Sequence, residues 1–425
     1  MIAVLLSSAV LFAQTSLTGT TSTAWENAAN WTAGVPNSGT AVNLGNASFT
    51  GANQPTITSS ASAASITFYS TKATTLTIGG GGSLAVTGNV SGSWTVNRTH
   101  TLAIGAQSVS IGGSFTTASA NNRVINTTIS TGSLTITANL ALNNNSTFTF
   151  SGAGNLYIGG NFTGAGTFTA STSTVTYNGS GAQTVAAKTY NNLTINKSAG
   201  TATQAGNTTV NNDFTIYQGE HSTSTFTLGI AGNFTVNGTL SGSGAVTLSG
   251  TTKNINGTGS ITNSATLTIS GGGKTILSSA NLTFSNTIAI SGAITVTNNG
   301  IITSNANGGI TGSVAGSTWT NGANSILKVS GPLLATGTLN ASANPNTVEY
   351  QGSSIAQTIK PVTYHNLTLS NASTKTAATG FTVNNTLTIG SGSNLTINNG
   401  IILQVLGAVD TYGALTNNGQ LKISN

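Results

Sequence analysis

The chain is 425 residues long and carries 11 Lys+Arg against 5 Asp+Glu, so only 4% of it is charged, where about 25% is usual. It contains no Cys, which excludes a disulfide scaffold, an iron–sulfur cluster and a Cys-based zinc site. Five acids leave few calcium ligands, and the scarcity of Glu, Lys, Arg and Gln argues against a long helical protein.

The first feature in chain order is Ile2 to Ala13, an apolar run of signal-peptide length that is too short to span a membrane. Small Ala13 precedes a polar stretch, which predicts a leader over 1–13, shortened because no Lys or Arg precedes the run. A buried first strand is the other reading. No later stretch reaches 18 apolar residues, so no membrane span is expected.

Residues 14–55 differ from the rest of the chain. They hold Trp25, Trp31 and the turn signal Gly34 to Pro36, and they read as a distinct N-terminal cap over the first coil of a repeating fold. Trp25 and Trp31 are also candidates for a glycan-stacking platform; packing inside the cap is the plainer reading.

From residue 56 to 425 one pattern dominates. Short segments such as Thr75–Ile78, Leu134–Ile136, Asn192–Ile195, Ala265–Ile269 and Leu395–Ile397 alternate apolar and small polar residues. Period-two alternation puts Leu, Ile, Val and Phe on one face and Thr, Ser or Asn on the other. Gly79 to Gly82, Asn143 to Asn145 and Gly271 to Gly273 separate the segments and supply the positive φ of tight corners. Such short strands over so long a chain predict an all-β fold, a parallel β-helix or β-solenoid rod, with roughly 20–25 residues per coil. The regular apolar triplets argue against disorder, the other reading of so much Gly, Ser and Asn.

A longer repeat overlies the short one. Val175, Tyr177, Gly179, Gln183, Thr184, Tyr190, Asn192 and Leu193 return as Val348, Tyr350, Gly352, Gln357, Thr358, Tyr364, Asn366 and Leu367. The duplication covers about 150–216 and 324–389. Tyr190 and Tyr364 are two further candidates for glycan stacking, with packing of a repeat corner as the plainer account.

The duplicated segment at 174–195 and 347–369 resembles repeats of large exported cell-surface proteins of the Bacteroidota. The opening at 25–44, with its Asn30-Trp31 and Gly34-Val-Pro36, is similar to the start of many such proteins, and Leu11 to Gln14 looks like their export signals. The resemblance implies export, a solenoid fold, and a role in adhesion, surface coat or matrix. Such proteins often end in a compact sorting domain; this sequence ends still inside the repeat pattern, which leaves an open edge for end-to-end assembly as an expectation.

Little chemistry is visible. Of the acids, only Asp213 and Glu220 lie close in sequence, beside His221; paired carboxylates serve glycoside hydrolysis, whereas a solvated turn is the plainer reading. His100, His221 and His365 share no ligand spacing, so no metal or other cofactor is expected. The glycines at 79–82 lack the Lys of a phosphate loop. Outward Thr could order water against ice, but the triplets vary in spacing. The net charge of +6 is carried by basic residues of which no two are adjacent, so no nucleic-acid partner is expected.

The sequence thus predicts a non-enzymatic, extracellular structural protein: a stalk, coat or fibre subunit, partnered by itself or by surface glycans. A glycan-binding module and a polysaccharide-active enzyme are the alternatives.

Overall fold

A computed structural model of the chain describes residues 12–120 and 122–424. The expected leader at 1–13 therefore lies mostly outside the described residues; Phe12 is exposed and Ala13 opens the strand Ala13–Ser16. The fold is an all-β parallel solenoid, and the sole helical element among the described residues is the single 3-10 turn Ala28–Asn30. Two compact units divide it, Met1–Asn191 and Asn192–Asn425.

In the first unit each coil contributes one short strand to each of three parallel sheets. One sheet stacks Ser60–Ala63, Ser83–Val86, Ser108–Ile111, Ser133–Ile136, Asn155–Ile158 and Thr174–Tyr177 in unbroken register. Equivalent residues are 19 to 25 positions apart, which sets the coil length. The register converts period two into columns: Leu84, Val109, Leu134, Leu156 and Val175 stack inward, and Ser83, Ser108 and Ser133 stack outward. Burying a full-sized aliphatic side chain contributes about 1.5–3 kcal/mol, and each coil adds several.

The second unit repeats the plan. Leu228, Val246, Leu267, Ile288 and Ile310 form one inward column. Leu327, Val348, Leu367 and Leu387 form another. Phe214 and Phe234 stack at 6.1 Å with rings 13° apart. Asn298, Asn321 and Asn346 are also inside, and they satisfy one another: Asn298 Nδ2 donates to Asn321 Oδ1 at 3.2 Å, and the Trp319 indole N–H donates to the same oxygen at 2.9 Å.

The corner clusters behave as their composition predicts. Gly81, Asn145 and Gly271 take φ of +84°, +66° and +77°. Residues 14–55, expected as a distinct cap, share the solenoid's sheets: Ala13–Ser16 pairs with Thr40–Leu44, which pairs with Ser65–Tyr69, and Ala24 bridges in parallel to Thr56.

Candidate functional site

The side chains singled out from the sequence for chemistry or recognition are mostly turned inward. Trp25 and Trp31 are 1% and 5% exposed and meet edge to face at 4.6 Å, and the Trp31 indole N–H donates to the Trp25 carbonyl at 2.7 Å. Tyr190 and Tyr364 are fully buried. None of these four rings offers a free face, so the stacking reading is corrected to packing: an indole or phenol within a coil interior has no surface on which a sugar can lie.

The duplicated segment has one architecture in both copies. In the first, the Ala186 amide donates to the Tyr177 oxygen at 3.2 Å, the two phenol oxygens stand 3.0 Å apart, and Tyr190 donates to the Ala186 carbonyl at 2.8 Å. The ring of bonds satisfies two phenols that burial would otherwise penalise. In the second copy Lys360 takes the place of Ala186: its amide donates to Tyr350 at 2.9 Å and its carbonyl accepts from Tyr364 at 2.6 Å. Burial pushes all four phenols up, Tyr350 to about 12.

Beside each pair lies a glutamine clamp. Gln183 accepts from the Gly179 amide at 3.0 Å and donates to the Ile158 and Gly160 carbonyls of the preceding coil at 2.9 and 2.6 Å. Gln357 does the same with Gly352, Val329 and Gly331. Gly179 is required here, because a Cβ would lie 1.8 Å from the Gly159 carbonyl oxygen. The spacing shared by the two copies is therefore that of a coil fastener.

Corner amides form a second fastening device. In the first unit Asn89 Oδ1 accepts the Ser114 amide at 2.8 Å, Asn139 Oδ1 accepts that of Asn161 at 2.7 Å, and Asn161 Oδ1 accepts that of Thr184 at 2.7 Å. In the second unit Asn192 accepts from Asp213, Asp213 from Asn233 and Asn233 from Asn254, at 3.1, 3.0 and 3.0 Å. Asp213 is thus one rung of an amide ladder. Glu220 accepts from Thr201 at 3.0 Å and from Ser241 at 2.5 Å, on the neighbouring coils. His221, the next residue, is fully buried on the opposite face of the strand and bonds to Gln204 at 3.2 Å. The three residues do not converge on a common face.

Glu26 and Glu349 serve likewise. One Glu26 oxygen takes the amides of Thr58 and Ser59 at 2.8 and 2.9 Å. Burial raises the Glu26 pKa, but these bonds and that from the Ser59 hydroxyl outweigh it and hold the carboxyl below its usual range. Glu349 pairs with its in-register neighbour Lys328 at 3.2 Å, the one ion pair among the described residues.

Sequence reasoning missed the buried bases. Lys274 and Lys375 are 3% and 0% exposed, and each ammonium is ringed by backbone carbonyls: Gly250, Ser270 and Gly272 around Lys274; Gly352, Ser370, Asn371 and Ser373 around Lys375. Desolvation lowers both, Lys375 to about 8. Burial likewise pulls His100 and His221 down to about 4, with the Arg98 charge adding to the effect at His100. An inward position in the alternation was the available signal for Lys375, since it pairs with Leu395.

Among the described residues no group of three or more His, Cys, Asp and Glu is placed to hold a metal, and no helix is long and apolar enough to cross a membrane. A shallow polar groove of about 400 Å³ runs over Ser108, Ser133, Asn155 and Tyr157. No family model, curated protein or solved structure matches the chain.

Proposed function

We propose that this chain is an exported structural protein, a β-solenoid scaffold that serves as a stalk, coat or fibre subunit at a cell surface. The observation that carries the reading is the employment of its few functional groups. Asp213, Glu220, Glu26 and Glu349 each bond across to a neighbouring coil or segment, and His100, His221, Lys274 and Lys375 are inside. A chain that commits its rare acids and bases to holding coils together keeps few for catalysis. Parallel coils joined by backbone ladders and side-chain fasteners draw stability from every neighbour interface, so the array can be long, which suits a spacer. The apolar segment at 2–13, the absence of Cys and the resemblance to exported surface repeats of the Bacteroidota support export. Low charge leaves few repulsive groups between neighbouring copies, which supports homotypic association.

Protease treatment of intact producing cells tests the reading. A surface scaffold is labelled or shaved from cells whose cytoplasmic markers stay whole. A chain protected until lysis contradicts it.

A further inference from the structure

Lys72, Arg98 and Arg123 look isolated in sequence, yet the solenoid stacks them. Arg98 and Arg123 are in-register partners on adjacent parallel strands. Lys72 precedes Thr75 by three positions as Arg98 precedes Thr101, and Thr75 pairs with Thr101. Lys72 lies in the turn before the strand Thr75–Ile78, beside Thr71, whose carbonyl Arg98 reaches, so one corner of three successive coils carries a cation each, the two arginines about 4.8 Å apart along the ladder.

The two guanidinium groups are held in place from below. Arg98 donates through Nε to the Ser70 carbonyl at 3.0 Å and through Nη2 to the Thr71 carbonyl at 3.2 Å. Arg123 donates through Nη2 to the Thr95 carbonyl at 3.3 Å, and its shielded Nε has no partner among the described residues. These bonds leave N–H donors on both groups unclaimed. No acid neutralises the column. Glu26 is the one acid in the first unit, Thr58 and Ser59 hold it, and no ion pair forms there among the described residues. Like charges stacked at this spacing repel, and a ligand with repeating anions relieves that repulsion.

Trp94 adds a second kind of contact. It lies in the turn that leads to Arg98, it is half-buried, and it rests on Gly92, where a Cβ would come within 2.1 Å of the indole. Its ring centroid is 5.2 Å from that of His100, which fixes its tilt. Of the four Trp residues it alone is not buried.

We propose that this corner binds an acidic polysaccharide, with carboxylate or sulfate groups seated along Lys72, Arg98 and Arg123 and a sugar face against Trp94. Three cations and one aromatic ring suit a short stretch of charged glycan. Nucleic-acid tracks rest on more phosphate contacts, commonly 6–10, and on successive stacking rings. The inference does not depend on the chain's being a surface scaffold.

Titration of the full chain with polygalacturonate, followed by tryptophan fluorescence and calorimetry over a salt series, tests it, with neutral dextran and oligo-dT as comparison ligands. The expected result is binding of polygalacturonate with a salt slope of about −2 to −3, a fluorescence change lost in Trp94→Phe, and no binding of dextran. Arg98→Gln with Arg123→Gln is expected to weaken binding at least about tenfold. Lys72→Gln, at an exposed position that leaves the fold alone, is expected to flatten the slope by about one. Absence of binding, equal binding of dextran, tighter binding of oligo-dT, or an unchanged slope in Lys72→Gln would each overturn the proposal.

Discussion

The hydroxyl of Tyr177 lies 3.0 Å from that of Tyr190 inside the solenoid, and Tyr350 and Tyr364 reproduce the pair at 3.1 Å in the second unit. Each pair closes a ring of bonds with one backbone residue, so neither phenol can be removed without orphaning a partner. Tyr190→Phe is expected to destabilise the fold by about 1–3 kcal/mol, as is Tyr364→Phe. Denaturant titration checks both.

The same phenols set an alkaline limit. Their folded pKa values lie above the ordinary value near 10, so the folded state holds protons that the unfolded chain releases. The phenol contribution to stability is complete below pH ~10 and is lost as pH rises through the folded values. Ultraviolet titration is expected to show Tyr177, Tyr190, Tyr350 and Tyr364 ionising above the ordinary phenol range while the chain stays folded.

His100 and His221 act at the acid side. Their folded values near 4 lie below the ordinary 6.5, so between these limits the unfolded chain binds protons that the folded chain refuses. Stability is expected to fall as pH drops from about 6.5 to 4, by up to about 3 kcal/mol for each histidine. The melting temperature of His221→Gln, measured against that of the parent, should depend less steeply on pH in this window.

Lys375 tests the carbonyl rings. Lys375→Met leaves the carbonyls of Gly352, Ser370, Asn371 and Ser373 without their common donor, at an expected cost of about 1–3 kcal/mol. With a folded value near 8 against an ordinary 10.5, the parent should gain stability as pH rises from about 8 towards 10.5, and the variant should lose that gain. Urea midpoints across this range measure it.

How far the sequence could be read depends on what alternation encodes. Leu-Thr-Ile at 193–195 and 387–389 announces a strand with one buried face, and positive-φ corners follow from Gly81 and Gly271. The duplicated Tyr and Gln were visible too, but their inward direction was not, because a Tyr after Thr fits either face. The sequence also hid what depends on coil length. Lys72, Arg98 and Arg123 become neighbours only once the coils of that region are known to be about 25 residues long. Asp213 and Glu220 look paired in a linear reading, whereas the register ties each of them to neighbouring coils instead: Asp213 to Asn233, Glu220 to Thr201 and Ser241.

The central claim is that polar side chains at the corners bind successive coils together. Amide hydrogen exchange on the full chain measures this at the backbone N–H groups of Ser114, Asn161, Thr184, Asn233 and Asn254, whose acceptors are side-chain oxygens of the preceding coil. The account predicts that these amides are protected to the level of the strand interiors, and that Asp213→Ala releases Asn233 while Asp213→Asn does not. Exchange at these amides as fast as at the exposed turn residue Asn97 would contradict it.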